Sequence, residues 1–161
     1  MLKLATDKIH LEYQEATDVN SGRPQIYLMG RNGTEWQRIL SSAGSAVATL
    51  LLPPSGDYVF VAHGFDLYVL DAHNGAILWQ RHFDEPIWAC YLLTGTDILV
   101  HLELSLVRLD ADGNERWSFS HCDVITQVQI QPNRLHVQDF DERQFELDLT
   151  TGLVSAMINH P

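Results

Sequence analysis

The stretch Leu67-Tyr68-Val69-Leu70-Asp71-Ala72-His73-Asn74-Gly75-Ala76-Ile77-Leu78-Trp79 decides the fold. Its apolar run ends on an aspartate, whose carboxylate can accept hydrogen bonds from the backbone amides of a turn. Gly75 then supplies the positive φ that a tight hairpin requires. The chain re-enters an apolar strand carrying Trp79, a rigid ring able to fill the seam between two stacked sheets. The stretch reads as strand, turn, strand.

Working outward, the pattern recurs as Leu106-Val107-Arg108-Leu109-Asp110-Ala111-Asp112-Gly113-Asn114-Glu115-Arg116-Trp117. It recurs again from Phe145 to Ala156, with Asp148 and Gly152, and in its most degenerate form from Ile26 to Trp36, with Gly33 but no aspartate. The turn glycines Gly33, Gly75, Gly113 and Gly152 lie 42, 38 and 39 residues apart. A period so even marks a repeat architecture in one domain, with units of about 1–42, 43–83, 84–121 and 122–161.

Each unit divides into four short strands separated by turn signals such as Pro53-Pro54-Ser55-Gly56 and Asn74-Gly75. The second unit gives strands at 47–52, 58–62, 67–70 and 77–81, and the third at 87–93, 98–102, 104–109 and 115–119. The fourth gives 124–130, 135–138, 144–149 and 153–158; the first gives 2–6, 9–14, 25–29 and 35–40. No helical periodicity competes.

The run Leu70-Asp71-Ala72 through Gly75 to Trp79 resembles the repeat of the quinoprotein-like (PQQ-repeat) β-propellers, and Leu109-Asp110-Ala111 through Gly113 to Trp117 is similar to a shorter variant. The fourth copy has Ala156 where that pattern places Trp. The resemblance implies an all-β, propeller-type fold of four four-stranded antiparallel blades; it does not imply one activity. Quinone-dependent members use adjacent cysteines, a calcium site and an aromatic platform, whereas Cys90 and Cys122 are far apart in this sequence. No cofactor and no metal is therefore expected.

Stacked sheets that stop short of a ring leave an apolar face at each end. Neither end of this sequence reads as a polar cap, so two closures follow. Two chains could form an eight-bladed ring as a homodimer, each fourth repeat on the other's first, or one chain could close as a four-bladed ring. The likeness to blades of eight-bladed rings favours the first.

Composition narrows the function. The chain carries 21 acidic residues against 10 Lys plus Arg, a net charge of -11. That balance opposes nucleic acid and anionic membrane, which require a basic footprint. The opening residues lack the apolar core of a secretory signal, so a cytoplasmic protein is expected, and the module expected is of bacterial type. Ser41, Ser42, Ser45 and Ser55 have no nucleophile elbow around them. Asp110-Ala111-Asp112-Gly113 places its glycine fourth, where a calcium loop of the EF-hand type needs it sixth. His63 and His101 fall at similar strand ends, but His10 and His136 do not share their phase, so buried or solvated histidines are expected rather than a metal ring.

Binding surfaces on propellers lie on the loops that join second to third strands and one blade to the next. The longest such segment runs from Glu15 to Pro24 and makes Asp18, Asn20 and Arg23 candidates for partner contact. Phe65 and Asp66, Glu103, and Asp139-Phe140-Asp141-Glu142 fall on the same end of their units. Aromatic tips beside acids suit a basic or polar partner. The function expected is a non-catalytic protein- or peptide-binding scaffold. The alternative is a ligand-binding or enzymatic half-propeller with a pocket at the central channel of a dimer.

Overall fold

The computed structural model describes residues 2–5, 10–32, 34–42, 48–93 and 96–158. Among the described residues there are sixteen strands and no helix, hence no helix long and apolar enough to cross a membrane. The first sheet is β1 (Leu2–Ala5), β2 (His10–Thr17), β3 (Pro24–Asn32) and β4 (Thr34–Ser41). The second is β5 (Ala48–Leu51), β6 (Tyr58–His63), β7 (Asp66–Asp71) and β8 (Ile77–His82). The third is β9 (Ile87–Leu92), β10 (Ile98–Leu102), β11 (Ser105–Leu109) and β12 (Glu115–Ser120). The fourth is β13 (Ile125–Ile130), β14 (Arg134–Asp139), β15 (Gln144–Asp148) and β16 (Val154–Ile158). Within each sheet the strands lie side by side in chain order, and the registered pairs are antiparallel. The chain divides into two compact units, Met1–Leu92 and Leu93–Pro161.

In the first unit, Leu11, Ile26, Leu28, Trp36 and Leu40 of the first sheet meet Ala48, Val59, Val61, Tyr68, Leu70 and Ala72 of the second in one core. Trp36 closes this seam. Its Nε1 donates to the Ala72 carbonyl at 2.9 Å, and its ring lies between Gly30 and Gly75 so closely that a Cβ at either glycine would overlap it. Arg38 Nε donates to the Gly75 carbonyl at 2.7 Å. Gly75 has φ +70°, and Asp71 organises its turn by accepting the His73 amide at 2.7 Å. The turn of one sheet is thus the dock for the tryptophan of the sheet before it.

The second unit repeats the device. Trp117 Nε1 donates to the Leu149 carbonyl at 2.9 Å, and the ring covers Gly152, φ +72°. Arg108 donates to the same carbonyl at 2.8 Å while its Nε holds Asp97 at 2.8 Å. Asp148 accepts the amides of Thr150 and Thr151 at 3.0 and 2.8 Å, as the turn aspartate should. Asp110 accepts those of Asp112 and Asn114 at 3.0 and 2.9 Å, next to Gly113 at φ +84°. Trp79, the third motif ring, is half-buried and meets Phe60 of its own sheet edge-on at 6.4 Å. In the first sheet Asn32 pairs directly with Thr34, leaving no room for an aspartate-bearing turn. Gly33 lies outside the described residues.

One expectation is corrected. The face of the fourth sheet turned away from the third is polar. Register aligns His136, Gln138, Gln144, Glu146 and Ala156 with Leu99, His101, Leu106, Arg108 and Trp117 of the third sheet. Arg134 and His136 both reach Glu146, at 2.9 and 3.4 Å. Ala156 stands where a seam tryptophan would be, and the surface around it is satisfied by its own ion pairs. The outer face of the first sheet is mixed: His10 and Glu12 occupy positions held by Val59 and Val61 in the second, with Tyr27, Met29 and Ile39 partly exposed among them.

Candidate functional site

The loop-bearing ends of the sheets are built on two buried carboxylates, one in each unit. In the first unit β6 and β7 are joined by Gly64 and Phe65 alone, with Gly64 at φ +61°. Asp66, the first residue of β7, is buried and gathers three elements. It accepts the Ser42 hydroxyl at 2.7 Å from the end of the first sheet, and the Gln80 amide at 3.4 Å and the His82 Nδ1 at 2.9 Å from β8. The Phe65 amide donates to Ser42 Oγ at 3.2 Å, and its ring stacks near His82. Beside them Tyr68 donates to the Ser41 carbonyl at 2.7 Å; burial, helped by the Asp66 charge, pushes its phenol up to about 12.

Ser42, Asp66 and His82 are the three residue types of a hydrolytic triad, but their order forbids that chemistry. The carboxylate stands in the middle, the hydroxyl donates to it, and no base among the described residues faces Ser42 Oγ. The cluster is a strut.

In the second unit Asp139, the last residue of β14, plays the same part. It is buried; its Oδ2 accepts from His121 Nε2 at 2.9 Å and Arg143 Nε at 2.7 Å, and its Oδ1 from the Arg143 amide at 2.9 Å. Arg143 reaches on to Asp123 at 3.1 Å and Asp141 at 3.5 Å. Glu142 holds a positive φ of 64°, a conformation uncommon for a residue with a side chain. The Phe140 amide donates to the Val124 carbonyl at 2.8 Å, which fixes the tip while leaving the Phe140 ring 70% exposed. The His121 ring stacks on Phe119 at 6.1 Å and meets Phe145 tilted at 5.0 Å, and those two rings touch each other at 5.5 Å, so the three form a mutually packed cluster. The result is an aromatic tip beside Asp141 and Glu142 on a clamped base.

The remaining sequence candidates separate in the same way. Four of the ten residues of Glu15–Pro24 are strand, because Glu15, Ala16 and Thr17 pair with Ile26, Gln25 and Pro24. Pro24 is tolerated as the first residue of its strand. The loop proper is Asp18–Arg23. Asp18 organises it by accepting the Ser21 hydroxyl at 2.6 Å and the Asn20 amide at 3.0 Å, bonds that lower its pKa. Val19 is 97% exposed at the tip, with Asn20 and Arg23 open beside it. Phe65 and Glu103 are half-buried; the Glu103 and Leu104 carbonyls accept from Ile125 and His121, tying that turn to the fourth sheet. Asp66 and Asp139 therefore hold the loops in place, and the accessible surface falls to Val19, Asn20 and Arg23 in one unit and Leu104, Phe140, Asp141 and Glu142 in the other. His82 and Arg143 escaped the sequence reading, and Ser42 is weighed there only as a nucleophile. Only the Asp139-to-Arg143 spacing signals any of them.

The two phased histidines are both buried. His101 Nε2 lies 2.9 Å from the Ile125 carbonyl, whereas neither ring nitrogen of His63 has a hydrogen-bond partner among the described residues. Burial lowers the pKa of His63 against the opposing pull of Asp66 and Glu15. With the folded value depressed below about 6.5, its stabilising contribution is complete above that pH and lost as pH falls. His63→Leu is expected to raise stability at pH 7 by about 1 kcal/mol and to flatten the loss between about pH 6.5 and 5, measured by urea unfolding. A destabilised variant would show that the imidazole is bonded after all.

The solved structures resembling this chain include BamB from Moraxella catarrhalis, at TM-score 0.65 and 17% identity over 99% of this chain and 48% of that one. They include HIRA(644-1017), at TM-score 0.58 and 18% identity over 97% of this chain and 54% of that one. The four sheets are propeller blades. The chain spans about half the length of each of these β-propellers. No family model and no curated protein matches the sequence. Likeness at such identity concerns the fold.

Proposed function

We propose that this chain is a non-catalytic, protein- or peptide-binding propeller module whose blades are of the PQQ-repeat type. The observation that carries the binding reading is the fourth-blade tip, where Phe140 stands open beside Asp141 and Glu142 on a base locked by Asp139, His121 and Arg143. An ordered aromatic side chain loses little conformational freedom on binding, and neighbouring carboxylates select a basic or polar partner. The blade type is supported by the Asp71–Gly75–Trp79 and Asp110–Gly113–Trp117 spacing, and by the use of Trp36 and Trp117 as seam rings on a following glycine turn. The exposed free thiol of Cys122 suits a reducing, cytoplasmic setting.

The test is capture of interacting proteins from the native organism by the wild-type chain, by Phe140→Ala and by Asp141→Lys/Glu142→Lys. Substitutions at this exposed tip should leave stability within about 0.5 kcal/mol. Phe140→Ala should weaken the specific partner by about 2 kcal/mol, roughly thirtyfold, if the ring is an anchor. Equal capture by all three chains would remove the loop ends as the binding surface.

A further inference from the structure

The last strand of each blade has one free edge, and natural sheets protect such edges with charge. Three of the four carry charge here: β4 has Glu35, β8 has Arg81, and β12 has Glu115 and Arg116. The fourth does not. From Leu149 to Ile158 the sequence contains no Asp, Glu, Lys or Arg, and no Pro. Leu153, Val154 and Met157 are 70%, 48% and 61% exposed along it, and among the described residues β15 is its only strand neighbour.

We infer that two copies of the chain associate through this edge, β16 pairing antiparallel with the β16 of a second copy to join two four-stranded blades into one eight-stranded sheet. The charge distribution selects a second copy at this place. At a net charge of -11, two chains repel over most of any shared surface, and only an uncharged strand lets their backbones approach to about 5 Å. The neighbouring face of the fourth blade is closed to a second copy, because stacking there would bury Glu146, His136 and Arg134. Antiparallel pairing of a strand with itself is isologous: each apolar side chain meets apolar side chains of its mate, and the contact closes at two. Two strands of five residues bury less than the roughly 1,200 Å² of a standard interface, so the association is weak, with a dissociation constant on the order of 10–100 μM.

Sedimentation velocity from about 5 to 500 μM tests this. The expected result is a shift from 18.3 kDa to twice that mass and no further, with amide exchange at 154–158 slowing as concentration rises. Met157→Lys should raise the dissociation constant at least tenfold. Leu78→Lys, an equally exposed apolar position on the charged edge β8, should leave it unchanged. A chain that stays monomeric throughout overturns the inference and leaves the edge to an extended segment of another protein. Open-ended growth, a dimer that survives Met157→Lys, or equal loss in both variants overturns it too.

Discussion

Trp117→Ala is expected to lower the unfolding free energy by about 3–5 kcal/mol, seen as a large fall in the urea midpoint. The change removes the ring that fills the seam between third and fourth blades, and leaves the Leu149 carbonyl with Arg108 as its remaining donor there. The opposite wall of the seam should be nearly as sensitive. At Gly152 a side chain meets both a backbone at φ +72° and a Cβ within 2.7 Å of the Trp117 ring, so Gly152→Ala should cost about 2–4 kcal/mol. Gly22 supplies the control: its φ is +68°, but nothing lies within 4 Å of its Cβ direction. Gly22→Ala should therefore cost only the backbone strain, about 1 kcal/mol. Because the clash at Gly152 needs the ring, the Trp117→Ala/Gly152→Ala pair should be less destabilised than the sum of its singles. Additive effects, or equal costs at Gly22 and Gly152, would refute the ring-on-turn seam.

The seam was visible in the sequence because one residue type serves each role: an aspartate for the turn amides, a glycine for positive φ, a tryptophan for the gap. Strand positions followed from the same punctuation. The expected strand at 98–102 is Ile98–Leu102 in the structure, and 77–81 extends by one residue to His82. What failed was pairing that depends on a partner strand. Glu15, Ala16 and Thr17 have no strand signal of their own and are extended because Gln25 and Ile26 lie opposite them. The polar face of the fourth blade stayed hidden for a related reason. Gln138, Gln144 and Glu146 look like ordinary alternation until register places them together on one side with Ala156. Among the candidate contacts, sequence recognised acids at loop ends but not their burial. Asp139 and Asp141 are two residues apart, yet one is sealed by His121, eighteen residues upstream, and the other is open.

That difference makes Asp139 the second sensitive position. Asp139→Asn keeps the shape but removes the charge that His121 Nε2 and Arg143 Nε both face. Breaking one side of a buried ionic cluster costs about 3–5 kcal/mol when all partners are buried. Arg143 is half-exposed and regains water, so a loss of about 2–3 kcal/mol at pH 7 is expected. The pH dependence identifies the cause. Burial pushes the Asp139 carboxyl up, but bonds from His121, the Arg143 amide and the Arg143 guanidinium outweigh it and hold the pKa below the ordinary value. A depressed carboxylate contributes its full stability above about pH 3.9 and loses it as pH falls through the folded value. Wild type and Asp139→Asn should therefore differ most near neutrality and converge toward pH 3 in urea titrations. Asp141→Asn, at the exposed side of Arg143, should stay within about 0.5 kcal/mol of wild type at both pH values. A constant gap across pH would mean that shape, not charge, holds the tip. The Phe140 ring would then owe its position to the Phe140–Val124 backbone bond rather than to the carboxylate beneath it.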